Sequence, residues 1–499
     1  MIDFFLKKIN SALFLINNKK FFFFTLTLLL AMITIMRFFI IISFSPDIVV
    51  GEDNNVWNIQ KMLSGLPLYT NPELPPYEIF QYSPISQYFT FWTCKIFNIV
   101  PAKDTHSIFI IGRILSLIFN IITSYYIYIL IKKVFNANIW IACIVSIYCF
   151  IDLTPLDYTL RTDSFYNLIS IIAIYQFVKF IEYNLMKNLI LSMFLFSTSF
   201  FAKQSGIQFY FIIPIYLLLS KNYKNLFYAL IYLTLFSLVY LSLFYILYGN
   251  NFINSLVKGI ANRIDLISAY HIWNTYFFKH FPFILFGFLA IFKWIISKTA
   301  TNSKKFLGVM CVFLLLFSIV TSLKVGSSTN YYTIFNYIIF TIIGIYTSEL
   351  TSRFGDKNLF LIINLFIIII PTNLLMDKYF NIHSVHFDEK NQKEFLKDSK
   401  FASCVKKIIK DNKVLIFTPN KNLKIFFPNQ TIFPNTEYYA ESIFNYDNFK
   451  KDKRKLTYII FNNNDNKNLN VRTVDFFKID LKKYDTILKY DSRVLLKYK

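Results

Sequence analysis

The chain has 499 residues, 55% of them hydrophobic, with 59 Phe and 34 Tyr against only 11 Gly and 14 Pro, which excludes collagen-like and disordered classes. A formal charge of +23 invites a nucleic-acid reading, but the basic residues form no single patch. The apolar residues instead fall in blocks near membrane-spanning length, the pattern of a polytopic α-helical membrane protein.

The first long apolar run, Phe21 to Phe44, covers about 36 Å as a helix, enough for a hydrocarbon core of about 30 Å and too long for a cleaved signal peptide. Further spans are expected to begin near Ser107, Asn138, Ser164, Asn188, Ile207, Asn225, Phe281, Phe306, Tyr331 and Asn358, about eleven in all. With the N-terminus inside, the inner segments up to Asp377 carry sixteen basic and four acidic residues, and the outer segments nine and eleven. The positive-inside bias therefore supports an N-in, C-out threading. Arg37 and Arg113 fall in the outer parts of their spans, where they are expected to snorkel, and no acidic residue falls at a span centre.

The largest outer loop runs from Ser45 to about His106, too long for a plain connection. It opens Gly51-Glu52-Asp53-Asn54-Asn55 and continues through Val56, Ile59, Met62 and Leu63, an amphipathic helical pattern ending at Gly65. Asp53 at that helix start reads either as an N-cap or as a general base that takes a proton from an acceptor hydroxyl, with Glu52 as the reserve. The loop goes on through Gly65-Leu66-Pro67-Leu68-Tyr69, Pro75-Pro76-Tyr77 and Tyr82-Ser83-Pro84, where turn-forming prolines and tyrosines suit a segment lying on the membrane interface.

Three later outer sites repeat the theme. They are Arg161-Thr162-Asp163, Lys203-Gln204-Ser205-Gly206, and the run Lys324-Val325-Gly326-Ser327-Ser328-Thr329-Asn330-Tyr331. A cation beside glycine and small hydroxyl residues can hold a phosphate by charge and by close backbone N–H approach. The same lysines also read as snorkelling anchors, and Asp163 as a helix cap. Asn250 to His280 adds Lys258, Arg263, Asp265 and His271 on that side.

Residues 378–499 hold 25 basic and 14 acidic side chains and read as a separate soluble domain following a membrane domain of residues 1–377. A helix is expected from Phe395, Ala402, Val405, Ile408 and Ile409, strands over Val414–Thr418 and Thr457–Phe461, and a hairpin over Ile487–Tyr498 turning at Asp491-Ser492. This is a small α/β domain. The five cysteines show no metal-ligand or disulfide-framework spacing.

In order, these motifs resemble those of the C-type multi-spanning glycosyltransferases, in particular bacterial relatives of the protein O-mannosyltransferases and of the lipid A aminoarabinose transferase. The matching features are Glu52-Asp53, Gly65-x-Pro67-Leu68-Tyr69, Tyr82-x-Pro84, Arg161-x-Asp163, Lys203-Gln204-x-Gly206 and Lys324-x-Gly326-Ser327-x-x-Asn330-Tyr331. The resemblance implies transfer of a sugar from a polyprenyl-phosphate carrier to a glycan, lipid or protein hydroxyl. It places that transfer at the outer, periplasmic face of the cytoplasmic membrane, with inversion, no nucleic acid and no cofactor. It also implies that Asp53 is the base with Glu52 beside it, and that Asp163 is a second acid. Arg161, Lys203, Gln204, Lys324, Asn330 and Tyr331 would meet the donor phosphate, and Tyr69 and Tyr82 belong to the substrate loop. Relatives often carry Asp-Glu where this chain has Glu-Asp, which leaves either carboxylate as the base. No Asp-x-Asp pair marks a divalent metal in the first outer loop. The competing readings are a lipid-linked glycan flippase, which the scarcity of mid-span charge opposes, and an outer adhesion protein acting through residues 378–499.

Overall fold

A computed structural model describes residues 19–44, 48, 51–71, 80–101, 103–258, 264–297, 300–354, 389–410, 415–417, 421–427, 431–433, 456–462 and 480–499. Long apolar runs become helices because only an intrasegment hydrogen-bond ladder satisfies the backbone in lipid. In chain order these are α1 (Lys19–Ile42), α2 (Glu52–Leu63), α3 (Ile85–Ile96), α4 (Thr105–Ile129), α5 (Ile139–Ile151), α6 (Thr162–Tyr183) and α7 (Met186–Ala202). After them come α8 (Phe209–Leu219), α9 (Tyr223–Tyr248), α10 (Asn250–Lys258), α11 (Leu266–Ile296), α12 (Asn302–Thr321) and α13 (Thr333–Phe354).

Among the described residues six helical segments are long and apolar enough to cross a membrane, and shorter apolar helices accompany them. This is a multi-pass membrane protein. Ten of the expected spans coincide with helices here. The span from Asn358, the division at residue 377, Pro75-Pro76-Tyr77 and Arg263 lie outside the described residues.

Burial separates the inner helices from those facing lipid. The apolar window of α6 is 67% buried and that of α9 only 11%, so α6 runs through the core and α9 along the periphery. Two expectations are corrected. The span expected from Phe281 starts at Leu266, because Asp265 caps α11, its Oδ1 accepting from Ile267 N at 3.1 Å and Ser268 N at 3.0 Å. Arg37 and Arg113 do not snorkel; they are 3% and 0% exposed. Deeper in the helical core, Asp152 after α5 stands 3.1 Å from Nε2 of His280 on α11 and accepts from Asn336 Nδ2 on α13 at 2.7 Å.

The C-terminal part has helix α14 (Glu389–Ile408) and strands β1 (Leu415–Phe417), β2 (Thr431–Phe433), β3 (Leu456–Asn462), β4 (Tyr484–Tyr490) and β5 (Arg493–Tyr498). They form one sheet in the order β2-β1-β3-β5-β4, parallel on the β2-β1-β3 side and antiparallel through β5 and β4. Asp491 takes a positive φ of 55° at the β4–β5 turn, as the hairpin reading requires. Phe395, Ala402, Val405 and Ile409 are buried as expected, whereas Ile408 is 41% exposed. These residues share a core with Val56, Trp57 and Ile59 of α2, which seats this C-terminal part on the first loop.

Candidate functional site

Helix α2 begins two residues earlier than an Asp53 cap would place it. Gly51 adopts φ 92°, a left-handed conformation that favours glycine, and the helix starts at Glu52 with no side-chain cap. Asp53 therefore sits in the first turn rather than at the cap, and both acids point into the protein at 0% exposure.

Their surroundings differ. Glu52 is fully engaged: Arg113 donates from Nε to Oε1 and from Nη2 to Oε2, each at 2.8 Å, and Leu160 N donates to Oε1 at 3.1 Å. Arg113 Nη1 also donates to the carbonyls of Ile40 and Ser43. This bidentate pair ties α1, α2, α4 and the segment before α6 together. Asp53 has no hydrogen bond to either oxygen among the described residues; its one ion-pair partner is Lys424 Nζ, 3.4 Å from Oδ2.

On the other side of Leu160 a second cluster forms. Asp163, in the first turn of α6, accepts from Lys203 Nζ at 2.6 Å and from Asn330 Nδ2 at 2.7 Å through Oδ1, and Arg161 Nε stands 3.6 Å from Oδ2. Arg161 Nη2 donates to the Tyr82 hydroxyl at 2.8 Å. The ring of Tyr331 lies 4.8 Å from Lys203 Nζ. Burial alone would lower the Lys203 pKa, but Asp163 raises it on balance, so the ammonium stays charged. Two cations against one carboxylate leave the cluster a net positive charge.

The turn at Lys203 is possible because residue 206 is glycine: a Cβ there would lie 2.4 Å from Phe200 N. Gln204 Nε2 donates to the Gln81 carbonyl, so the same turn holds the Tyr82 segment. Tyr69 donates to the Tyr82 carbonyl at 2.7 Å from within an aromatic group, with ring centroids 5.4 Å from Phe80 and 4.9 Å from Tyr248. It supports the loop from behind.

Lys324 is not drawn in. It is half-buried, makes no ion pair among the described residues, and bridges through its backbone to Ile264. Burial lowers its pKa. Asp265, expected on the same side, is spent on its helix cap.

Buried polar atoms without a hydrogen-bond partner among the described residues include both Asp53 oxygens, Asp163 Oδ2 and the neighbouring Thr162 Oγ1. Native interiors rarely leave such atoms unsatisfied, so Asp53 and Asp163 have acceptor oxygens to offer a polar ligand. No group of three or more His, Cys, Asp or Glu able to hold a metal exists among the described residues.

A sequence profile of the dolichyl-phosphate-mannose-protein mannosyltransferase family matches residues 87–248, which contain Arg161, Asp163 and Lys203. No curated protein sequence matches the chain. Among solved structures, ArnT from Cupriavidus metallidurans bound to undecaprenyl phosphate aligns over 94% of this chain and 97% of its own, with a TM-score of 0.56 at 8% identity. The Archaeoglobus fulgidus oligosaccharyltransferase AglB, in complex with an inhibitory peptide and a dolichol-phosphate, aligns over 87% of this chain and 69% of its own, with a TM-score of 0.53 at 10% identity. The chain has the C-type glycosyltransferase fold.

Within that fold three contributors escape a reading of the sequence. Arg113 is one, because pairing across 61 residues leaves no local signal. Asp157 is another: it accepts from Thr154 N at 2.9 Å and Asn167 Nδ2 at 2.7 Å, behind the Asp163 cluster. The third is Lys424, from a 3-10 turn over Lys421–Phe426 that is docked by Gln60 Nε2 donating to the Ile425 carbonyl at 2.8 Å. Only its position before the apolar run Ile425-Phe426-Phe427 sets Lys424 apart in sequence.

Proposed function

We propose that the chain is a membrane glycosyltransferase that moves a sugar from a polyprenyl-phosphate carrier to an acceptor hydroxyl, at the outer face of the cytoplasmic membrane and with inversion. One observation carries this reading: Leu160 N donates to Glu52, the neighbour of Asp53 with its two unbonded oxygens, and the next residue, Arg161, belongs to the net-positive cluster, so one short segment links the open carboxylate to the cations.

The chemistry follows from that pairing. Asp53 takes the acceptor proton as the hydroxyl oxygen bonds to the anomeric carbon, and the bond from that carbon to the carrier phosphate breaks. The phosphate leaves with the electron pair toward Arg161 and Lys203, whose charge is worth most in a site shielded from water. Attack opposite the departing phosphate inverts the anomeric carbon. Glu52 positions Asp53 rather than acting as base, since its oxygens are filled by Arg113 and Leu160 N. Asp163 orients Lys203. The positive-inside bias supports the outer placement, and undecaprenyl phosphate and dolichol-phosphate on the two solved neighbours support a carrier of that class.

The test reads release of free polyprenyl phosphate and the glycosylated product from a panel of polyprenyl-phosphate sugars. Asp53→Asn should slow turnover by roughly 10²–10⁴, the usual range for loss of a general base, while the protein still inserts and folds. Full turnover in that variant contradicts the assignment. Carrier translocation without glycosidic bond cleavage in the wild type would instead favour a flippase.

A further inference from the structure

Away from the candidate site, an apolar groove of about 680 Å³ runs along the bilayer-facing side of α1, α4 and α5, with Leu30, Phe38, Leu117, Ile121 and Phe150 among its walls. Phe38 and Ile121 are 58% and 53% exposed, so the groove is open to lipid. One charged residue lines it: Arg37. No residue of the Asp53 or Asp163 clusters contributes to it.

Arg37 is 3% exposed, and its Nε and Nη2 have no hydrogen-bond partner among the described residues. Its guanidinium is held over the Tyr158 ring at 3.6 Å and lies 5.3 Å from that of Phe150. The acid whose charge it feels, Asp157, has its oxygens taken by Thr154 and Asn167. A buried arginine at membrane depth with unmet donors is costly, and such residues ordinarily have a partner. Here the ring holds the cation in place and no acceptor meets those two nitrogens among the described residues.

The groove's dimensions indicate what supplies it. From Leu30 to Ile41 it follows α1 for about 16 Å at 1.5 Å per residue, close to one leaflet of a hydrocarbon core of about 30 Å. Arg37 lies toward the end of α1 that leads to α2, about 6 Å short of Ile41. A single cation near one end of an apolar channel one leaflet long matches an amphiphile with one anionic head and a hydrocarbon chain.

We infer that this groove is a binding site for an anionic bilayer phospholipid, its phosphate on the Arg37 guanidinium and one acyl chain along α1, α4 and α5. The lipid supplies acceptor oxygens that Arg37 lacks among the described residues, and it secures α1, whose same end Arg113 holds through the carbonyls of Ile40 and Ser43.

The inference stands apart from the transferase reading, and its test needs no activity. Full-length protein in mild detergent is titrated with phosphatidylglycerol, phosphatidylcholine and inorganic phosphate, and bound species are counted by native mass spectrometry. The wild type should retain one phosphatidylglycerol through washing and should hold phosphatidylcholine and inorganic phosphate at least tenfold more weakly. Arg37→Gln should lose that retention at least tenfold, and Arg37→Lys should keep part of it. Ile121→Trp, which fills the groove and leaves Arg37 intact, should lose it as well, which guards against a folding defect specific to Arg37. Equal retention by Arg37→Gln, equal binding of phosphatidylcholine or inorganic phosphate, or retention of a polyprenyl phosphate in place of phospholipid overturns the assignment.

Discussion

Glu52 and Asp53 are neighbours in sequence with opposite circumstances. Glu52 makes three hydrogen bonds and is paired with a buried arginine, so its loss leaves an uncompensated cation in a dry setting. Breaking such a pair by removing one partner costs about 3–5 kcal/mol. Glu52→Gln is therefore expected to unfold at lower temperature and denaturant than Asp53→Asn, which breaks a single 3.4 Å contact to Lys424 rather than a bidentate hydrogen-bonded pair; fluorescence-monitored unfolding of both variants checks the order. Asp157 offers a test by pH. Burial, and then the nearby Asp163, push its carboxyl from 3.8 up to about 6. A raised acid pKa means that the folded state prefers the protonated form, so this contribution is complete below about pH 4 and is lost as pH rises through 6. At 1.36 kcal/mol per unit the loss is roughly 3 kcal/mol. Against wild type, Asp157→Asn should gain relative stability between pH 4 and 6; parallel thermal profiles would contradict this.

At the scale of elements, the site depends on helix starts and one short turn. The motif residues were legible because charge, glycine and hydroxyl groups stand out against long apolar runs: Arg161, Asp163, Lys203, Asn330 and Tyr82 all join one network. What sequence left hidden was how each acid is used. Asp53 and Asp163 both read equally well as helix caps, and neither caps: Gly51 takes the left-handed position before α2, and Arg161 precedes α6 without a side-chain cap bond. Lys324 carries a motif like that of Lys203, yet its side chain makes no ion pair among the described residues, while Asn330 of the same run reaches Asp163. The Lys421–Phe426 turn makes the C-terminal part a component of the site, since Lys424 is 1% exposed against Asp53 and lies 5.7 Å from the Trp57 ring. Lys424→Met is expected to lower turnover by roughly tenfold or more, the equivalent of about 1.4 kcal/mol, with carrier affinity unchanged and Lys424→Arg restoring part of it. Steady-state kinetics with the carrier varied separates the two effects.

For the whole molecule, periodicity and hydropathy located ten helices and the α/β character of the C-terminal part, because both rest on patterns repeated over many residues. The start of α11 was missed because Tyr270 to His280 dilutes its hydropathy with polar side chains. Contacts that cross the chain carry no such pattern. Lys424 meets Asp53 over 371 positions, from a stretch, residues 378–499, whose 25 basic residues look alike in sequence. In the proposed reaction the open carboxylate on α2 and the cations at Arg161 and Lys203 serve one centre. A cryo-electron microscopy structure with a polyprenyl phosphate bound tests it most directly. The phosphate is expected within hydrogen-bonding reach of Lys203 or Arg161, with Asp53 facing the same cavity; a phosphate seated elsewhere, with Asp53 closed off from it, would mean that these residues do not share a reaction centre.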